Sequence, residues 1–295
     1  MIKHNYLNYL RESSEMIKFE HTVFALPFAF LAALTAAQGM PPLRTLLWIM
    51  AAMVGARTAA MTFNRLVDED VDAQNPRTAM RALPAGRLPK WAAWLMLGSG
   101  TLLFGVAAGA LGPLCWKLSP LALAIILGYS LCKRFTSMAH VVLGLSLSGA
   151  PLGAWIAITN RIDTPAWLLA GGVLCWTAGF DILYALQDQE FDQDRGLHSI
   201  PAKLGTPWSL WLSRWLHIAA LLLWGMFNRE MGAHLFPWLA WLVVAGILVR
   251  EQWLVRDGDL ERIDQAFFTM NSLVGLVLFC GHFIEWMLVR FSGVA

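Results

Sequence analysis

The chain has 295 residues, of which 57% are hydrophobic and only 14% charged, with a formal net charge of +2. Soluble domains carry about 25% charged residues, so a water-facing globule is excluded; so small a charge, spread among short loops, also excludes a nucleic-acid surface. Apolar runs long enough to cross a bilayer recur along nearly the whole length, which points to one all-α, polytopic membrane domain over residues 1–295.

The first apolar run follows an opening of mixed charge and lacks a small-residue cleavage pattern, so helix one is expected to stay in the protein. Nine transmembrane helices are predicted, near 21–40, 43–63, 91–111, 116–132, 138–158, 165–187, 208–227, 233–250 and 265–289. Pro41-Pro42, Gly112-Pro113 and Thr164-Pro165 mark helix breaks between them. Cys115, Cys132, Cys175 and Cys280 stand singly in or beside apolar stretches, without zinc-site spacing, and read as packing residues. Trp48, Trp91, Trp116, Trp167, Trp208, Trp238 and Trp286 lie near span ends, where aromatic belts form.

Nine spans place alternate connections on opposite sides. Most of the 22 Lys and Arg residues fall on the side of the N-terminus, whereas the other side holds only Arg44, Lys117, Arg161, Arg229 and Arg290. The positive-inside rule then puts the N-terminus in the cytoplasm and the C-terminus across the inner membrane. Arg57 and Arg214 fall inside spans. Two cytoplasmic connections, about 64–90 and 188–207, are long and acidic as well as basic, and are expected to cap the bundle.

These connections open with related clusters. The first reads Asn64-Arg-Leu-Val-Asp68-Glu-Asp-Val-Asp72 and the second Tyr184-Ala-Leu-Gln-Asp188-Gln-Glu-Phe-Asp192, with corresponding acidic residues 120 positions apart. That offset predicts a pseudo-repeat of four-helix units, which brings equivalent helix ends together about a symmetry axis. A charged loop after a span is usually only a solvated connection. Two clusters in register at helix exits on one face are not accounted for that way.

If each span continues helically to its last aspartate, Asp68 and Asp72 share a stripe with Asn64, and Asp188 and Asp192 share one with Tyr184. Carboxylates one turn apart at a helix C-terminus repel each other and oppose the helix dipole. A divalent cation removes that cost, and hard oxygen ligands without His or Cys suit Mg²⁺, which completes its shell with water and phosphate. Lys18, Arg77, Arg81, Lys133, Arg134 and Lys203 surround the clusters as candidate phosphate ligands, so the expected substrate is a diphosphate.

The first motif resembles the Asn-xxx-Asp-xxx-Asp of the UbiA superfamily of intramembrane aromatic prenyltransferases, and Asn75-Pro-Arg-Thr-Ala-Met-Arg81-Ala-Leu-Pro-Ala-Gly-Arg87 resembles its basic continuation. The second resembles that family's Tyr-xxx-Asp-xxx-Asp, continued by Gly196-Leu-His-Ser-Ile-Pro-Ala-Lys-Leu-Gly205. The resemblance covers nearly the whole chain. It implies a nine-helix bundle with a lateral opening to lipid, in which Asp68, Asp72, Asp188 and Asp192 hold Mg²⁺ and through it the diphosphate, assisted by Asn64. It also implies roles for Lys18 near the entrance of helix one and for Lys133 on the diphosphate. Arg65 and Ala82 depart from the family pattern, which often has Asp and Pro at those places.

In such a reaction, ionising the allylic C–O bond yields a cation that must be kept from water. Tyr129 and Tyr184, near the cytoplasmic ends of spans, are candidates to face it. Arg57 lies on the helix face of Asn64 and Asp68, about two turns deeper, and is a candidate for the acceptor's carboxylate; a structural ion pair is the alternative. Asp181, one turn before the second cluster, is a candidate proton acceptor, while His140 and His198 read as hydrogen-bonded structural residues.

The segments Met138-Ala-His-Val-Val-Leu-Gly144 and Ala150-Pro-Leu-Gly-Ala-Trp155 resemble the branch that contains 4-hydroxybenzoate polyprenyltransferases and the prenyltransferases of the futalosine route to menaquinone. The expected partners are a prenyl diphosphate, an aromatic acid and the bilayer, with no nucleic acid and no obligatory protein. A cation-coupled transporter is the competing class, since internal repeats and intramembrane charges occur there too.

Overall fold

A computed structural model of the chain describes residues 12, 16, 22–256 and 270–292. Among these, every regular element is helical: α1 Thr22–Ala36, α2 Leu43–Val67, α3 Glu69–Gln74, α4 Lys90–Leu111, α5 Pro113–Cys132, α6 Ala139–Thr159, α7 Thr164–Ala185, α8 Gln189–Asp194, α9 Ile200–Glu230, α10 Leu235–Leu254 and α11 Asn271–Ser292, with a 3₁₀ turn at Leu186–Asp188. Among the described residues eight helices are long and apolar enough to cross a membrane, and α1 is a shorter apolar helix of 15 residues. These nine correspond in order to the nine predicted spans. The principal difference is at α9, which begins eight residues before the expected 208.

Local sequence accounts for the breaks. Gly112 adopts φ 136° between α4 and α5, a conformation strained for other residues, and Pro113 then occupies the first turn of α5, where its missing N–H costs nothing. The N-terminus of α9 is closed by Ser199, whose hydroxyl accepts from the Ala202 N–H at 3.2 Å. Its first turn is then set off from the membrane portion by Gly205, at φ 77°, and Pro207. The extra length of α9 is therefore a separate cap helix rather than a longer span.

The repeat is visible in packing. The two broadest helix–helix interfaces are α2 with α4 and α7 with α9, which are equivalent pairs under the 120-residue offset. Lipid supplies no hydrophobic drive between helices, so close backbone approach must. In the first pair Gly55 and Gly100 make that possible: a Cβ on Gly55 would lie 2.6 Å from the Phe104 nitrogen, and one on Gly100 2.8 Å from the Ala59 nitrogen. In the second pair Trp224 and His217 fill the space left by Gly172 and Gly179. Phe28, Trp176, Phe180 and Trp224 form the aromatic centre, with Phe28 and Trp176 centroids 5.2 Å apart and Trp176 and Phe180 4.8 Å apart. Trp91, Trp116, Trp167 and Trp208, by contrast, are exposed at helix ends.

Candidate active site

The helices do not run unbroken through the acidic motifs as the spacing suggested. α2 stops at Val67 and Asp68 bends the chain with φ −94°, ψ 8° before α3; Asp188 makes the same bend, φ −104°, ψ 7°, before α8. The helix dipole explains the difference. A bend turns Glu69, Asp70 and Asp72, and likewise Glu190 and Asp192, from residues at an unfavourable C-terminus into residues of a favourable first turn. The one-turn spacing survives, because the Asp68 N–H donates to the Asn64 carbonyl at 2.9 Å and the Asp72 N–H to the Asp68 carbonyl at 2.7 Å.

Each motif aspartate meets a cation. Arg81 Nη1 lies 2.7 Å from both carboxylate oxygens of Asp72, and Lys133 Nζ is 3.3 Å from Asp192. Arg77 forks onto both oxygens of Asp188 and donates to the Tyr184 hydroxyl at 2.9 Å, with its guanidinium 5.3 Å over the Tyr184 ring. Arg134 donates to the Val67 carbonyl at 2.6 Å and stands 3.5 Å from Asp68, which also accepts from Asn64 at 2.8 Å. The cation on Asp188 thus comes from the loop after the first motif and the cation on Asp192 from the end of α5, so two ion pairs join the repeats. Asp72, Asp188 and Asp192 are buried under these partners.

Electrostatics follow from that burial. Desolvation, and then the neighbouring Asp72 charge, push the Asp68 carboxyl above its ordinary range. Burial also works against the Arg77 charge, but Asp188 and Tyr184 outweigh it and raise that group. Among the described residues no three acidic or histidine side chains converge as a ready-made metal cage. Mg²⁺ requires less, since it is commonly bound by one or two carboxylates with phosphate and water completing its octahedron. An all-oxygen set in which one carboxylate is already disfavoured as an anion by another fits such an ion.

Beneath the clusters lies a cavity of about 270 Å³, walled by α1, α2, α4, α5, α6 and α7 and almost entirely apolar. It begins at Ala60 and Met61, one turn from Asn64, and Arg57, Tyr129 and Asp181 are among its few polar groups. Tyr129 is within electrostatic reach of Arg57, Arg65, Asp68 and Asp181, which ties the cavity to the first motif. Lys203 is not part of this assembly: it is exposed in the first turn of α9, and its side chain pairs with none of the four aspartates. Lys18 lies outside the described residues.

Several further side chains, to which the sequence pattern assigns no role in the site, join it in the structure. Arg65 is buried, donates to the side-chain Oδ1 of Asn64 at 2.9 Å and sits 3.9 Å from Asp72. Asn75 donates to Asp188 at 3.3 Å, and Arg195 bonds to Gln74, adding two further links between the caps. His140, fully buried, is 2.7 Å from Asp181. Arg65 and Asn75 adjoin motif residues, a signal that adjacency alone could have supplied.

The UbiA prenyltransferase family model matches residues 25–273. The chain belongs to the UbiA prenyltransferase family. A 4-hydroxybenzoate octaprenyltransferase of Tolumonas auensis is 30% identical over 246 residues, covering 83% of this chain and 85% of that one. A protein of the same name from Francisella tularensis is 29% identical over 263 residues, covering 88% and 89%. Among solved structures, the apo UbiA homologue of Aeropyrum pernix superposes with a TM-score of 0.83 at 32% identity, covering 90% of this chain and 98% of that one. A UbiA homologue from Archaeoglobus fulgidus bound to DMAPP and Mg²⁺ has a TM-score of 0.73 at 18% identity, with 94% and 99% covered, a likeness of fold. This UbiA member is therefore an integral membrane prenyltransferase, and the transporter reading falls away.

Proposed function

We propose that the enzyme transfers a prenyl group from a polyprenyl diphosphate to an aromatic acid of the 4-hydroxybenzoate type, in a Mg²⁺-dependent reaction of quinone biosynthesis at the cytoplasmic face of the inner membrane. The observation that carries this reading is the pairing of four motif aspartates with Arg77, Arg81, Lys133 and Arg134, directly over an apolar cavity that contains Arg57. The names of the relatives supply the acceptor class. Residues 1–295 are read as one domain, capped by segments 64–90 and 188–207, with the N-terminus in the cytoplasm.

Asp68, Asp72, Asp188 and Asp192 would hold Mg²⁺, with Asn64 and Arg65 orienting the first pair. Bound there, the ion neutralises the charge that develops on the leaving diphosphate. The four basic side chains now on the aspartates are the chain's own ligands for phosphate oxygens, to which arginine in particular can fork. The apolar wall below excludes water from the allylic carbon. Tyr129 and Tyr184 offer ring faces to its positive charge, an attraction of about 2 kcal/mol when desolvated. Arg57 binds the acceptor's carboxylate, and Asp181 accepts the proton displaced from its ring.

The reading is tested by supplying membranes containing the protein with Mg²⁺, prenyl diphosphates of several lengths, and a panel of hydroxybenzoates and futalosine-type aromatic acids, with products identified by mass spectrometry. A prenylated 4-hydroxybenzoate is expected. Product on a futalosine-type acid alone moves the enzyme to that branch, and no product on any aromatic acid overturns the proposal.

A further inference from the structure

His140 is the second residue of α6 and is wholly enclosed, whereas the Asp181 side chain beside it keeps 22% of its surface open and lines the cavity. The two meet at 2.7 Å between Nδ1 and the carboxylate. On the far side of the ring, the backbone N–H of Ile200, the first residue of α9, points at Nε2 from 3.3 Å. A backbone N–H can only donate, so Nε2 must accept and the single ring proton must sit on Nδ1. The ring is thereby fixed as a neutral donor aimed at Asp181. A doubly protonated ring would set two N–H groups against each other at Ile200.

We propose that His140 is a positioning residue for prenyl transfer: its Nδ1–H holds one oxygen of Asp181 so that the carboxylate presents its other oxygen to the acceptor in the cavity. This rests on the reading of Asp181 as the proton acceptor. In that reaction the allylic C–O bond breaks with its electron pair leaving on the diphosphate. A ring carbon of the acceptor bonds to the allylic carbon, and the proton displaced from that ring carbon passes to Asp181. The same imidazole ties this carboxylate to the second motif. Ile200 follows the cap segment in which the His198 N–H donates to the Lys133 carbonyl at 2.7 Å, and Lys133 in turn pairs with Asp192. The acceptor's proton site and the diphosphate site are thus registered to each other through α6 and the start of α9.

Two substitutions separate this role from simple packing. His140→Asn keeps a donor near the Nδ1 position and loses the reach to Ile200, whereas His140→Gln keeps an acceptor near Nε2 and loses the donor to Asp181. Turnover of the aromatic acid by His140→Asn should stay near the wild-type value. His140→Gln and His140→Ala should lose about tenfold or more in kcat, with the KM for prenyl diphosphate unchanged. In an Asp181→Asn background, His140→Ala should cost little more. The reverse order, with Gln active and Asn impaired, assigns His140 to capping α9 and overturns the proposal, as does equal behaviour of all three variants. Nitrogen-15 NMR of histidine in the intact wild-type protein gives an answer independent of variant folding: a neutral Nδ1–H ring is expected, and an Nε2–H or doubly protonated ring refutes it. Absence of any prenylated product from the wild type would instead bring down the reading of function.

Discussion

Asp68 and Asp188 are equivalent in backbone as well as in sequence: each follows a membrane helix, each sits at φ near −100° and ψ near 8°, and each starts a short acidic helix. Their surroundings differ. Asp188 is forked by Arg77 and touched by Asn75, whereas Asp68 takes an amide from Asn64 and a longer contact from Arg134. Both carboxylates have a metal-binding role in the proposed function, so Asp68→Asn and Asp188→Asn should each abolish turnover. The helices they terminate are set by apolar sequence, so membrane insertion and the elution profile in detergent should remain those of the wild type. Full activity in either variant removes the metal assignment.

Metal removal provides a second check on the same site. Chelation with EDTA should stop product formation, and adding Mg²⁺ back should restore it, because four buried or half-buried carboxylates confront the diphosphate with negative charge. The basic partners Arg77, Arg81, Lys133 and Arg134 are already engaged with those carboxylates in the resting site. They offset the diphosphate's charge only as far as they are released. Undiminished turnover in excess EDTA would show that they suffice alone.

Much of this was legible in the chain, for a physical reason: span length and apolar runs are local properties, and the two motifs lie at helix exits that composition alone marks. What the sequence could not display were partners that meet only after the repeats close on each other. Asn75 and Asp188 are 113 positions apart, and nothing local to either predicts the bond. Helical spacing persists across the bend at Asp68, so periodicity reads the same with or without the break. The second motif's continuation places Lys203 among the candidate phosphate ligands, but the early start of α9 turns it outward.

Closeness of α2 and α4 gives a stability prediction. Gly55→Ala would set a methyl group 2.6 Å from the Phe104 nitrogen and 2.8 Å from the Gly100 carbonyl, and backbone cannot yield without parting the helices. Overpacking of this sort costs about 1–3 kcal/mol. A lower melting temperature in detergent is expected. Gly98→Ala, on the partner helix α4 but with nothing within 4 Å of the added carbon, is the control and should leave the melting temperature unchanged or slightly higher. Equal melting of both variants would mean that the helix pair is looser than its geometry states.

Arg57 separates acceptor binding from diphosphate binding. It projects into an apolar cavity from α2, about two turns beyond Asn64, in electrostatic contact with Tyr129. A cation at that depth is costly and is retained where it meets a partner or a ligand. If the ligand is the acceptor's carboxylate, Arg57→Gln removes a charged hydrogen bond worth about 1.5–3 kcal/mol, which corresponds to a rise of roughly ten- to a hundredfold in the KM for the aromatic acid. The KM for prenyl diphosphate should hold, because Arg77, Arg81, Lys133 and Arg134 are untouched. An acceptor analogue with a neutral amide in place of the carboxylate should discriminate little between wild type and variant, since neither can then form the charged pair. A variant that binds the acid normally but melts at a lower temperature would return Arg57 to a structural ion-pairing role.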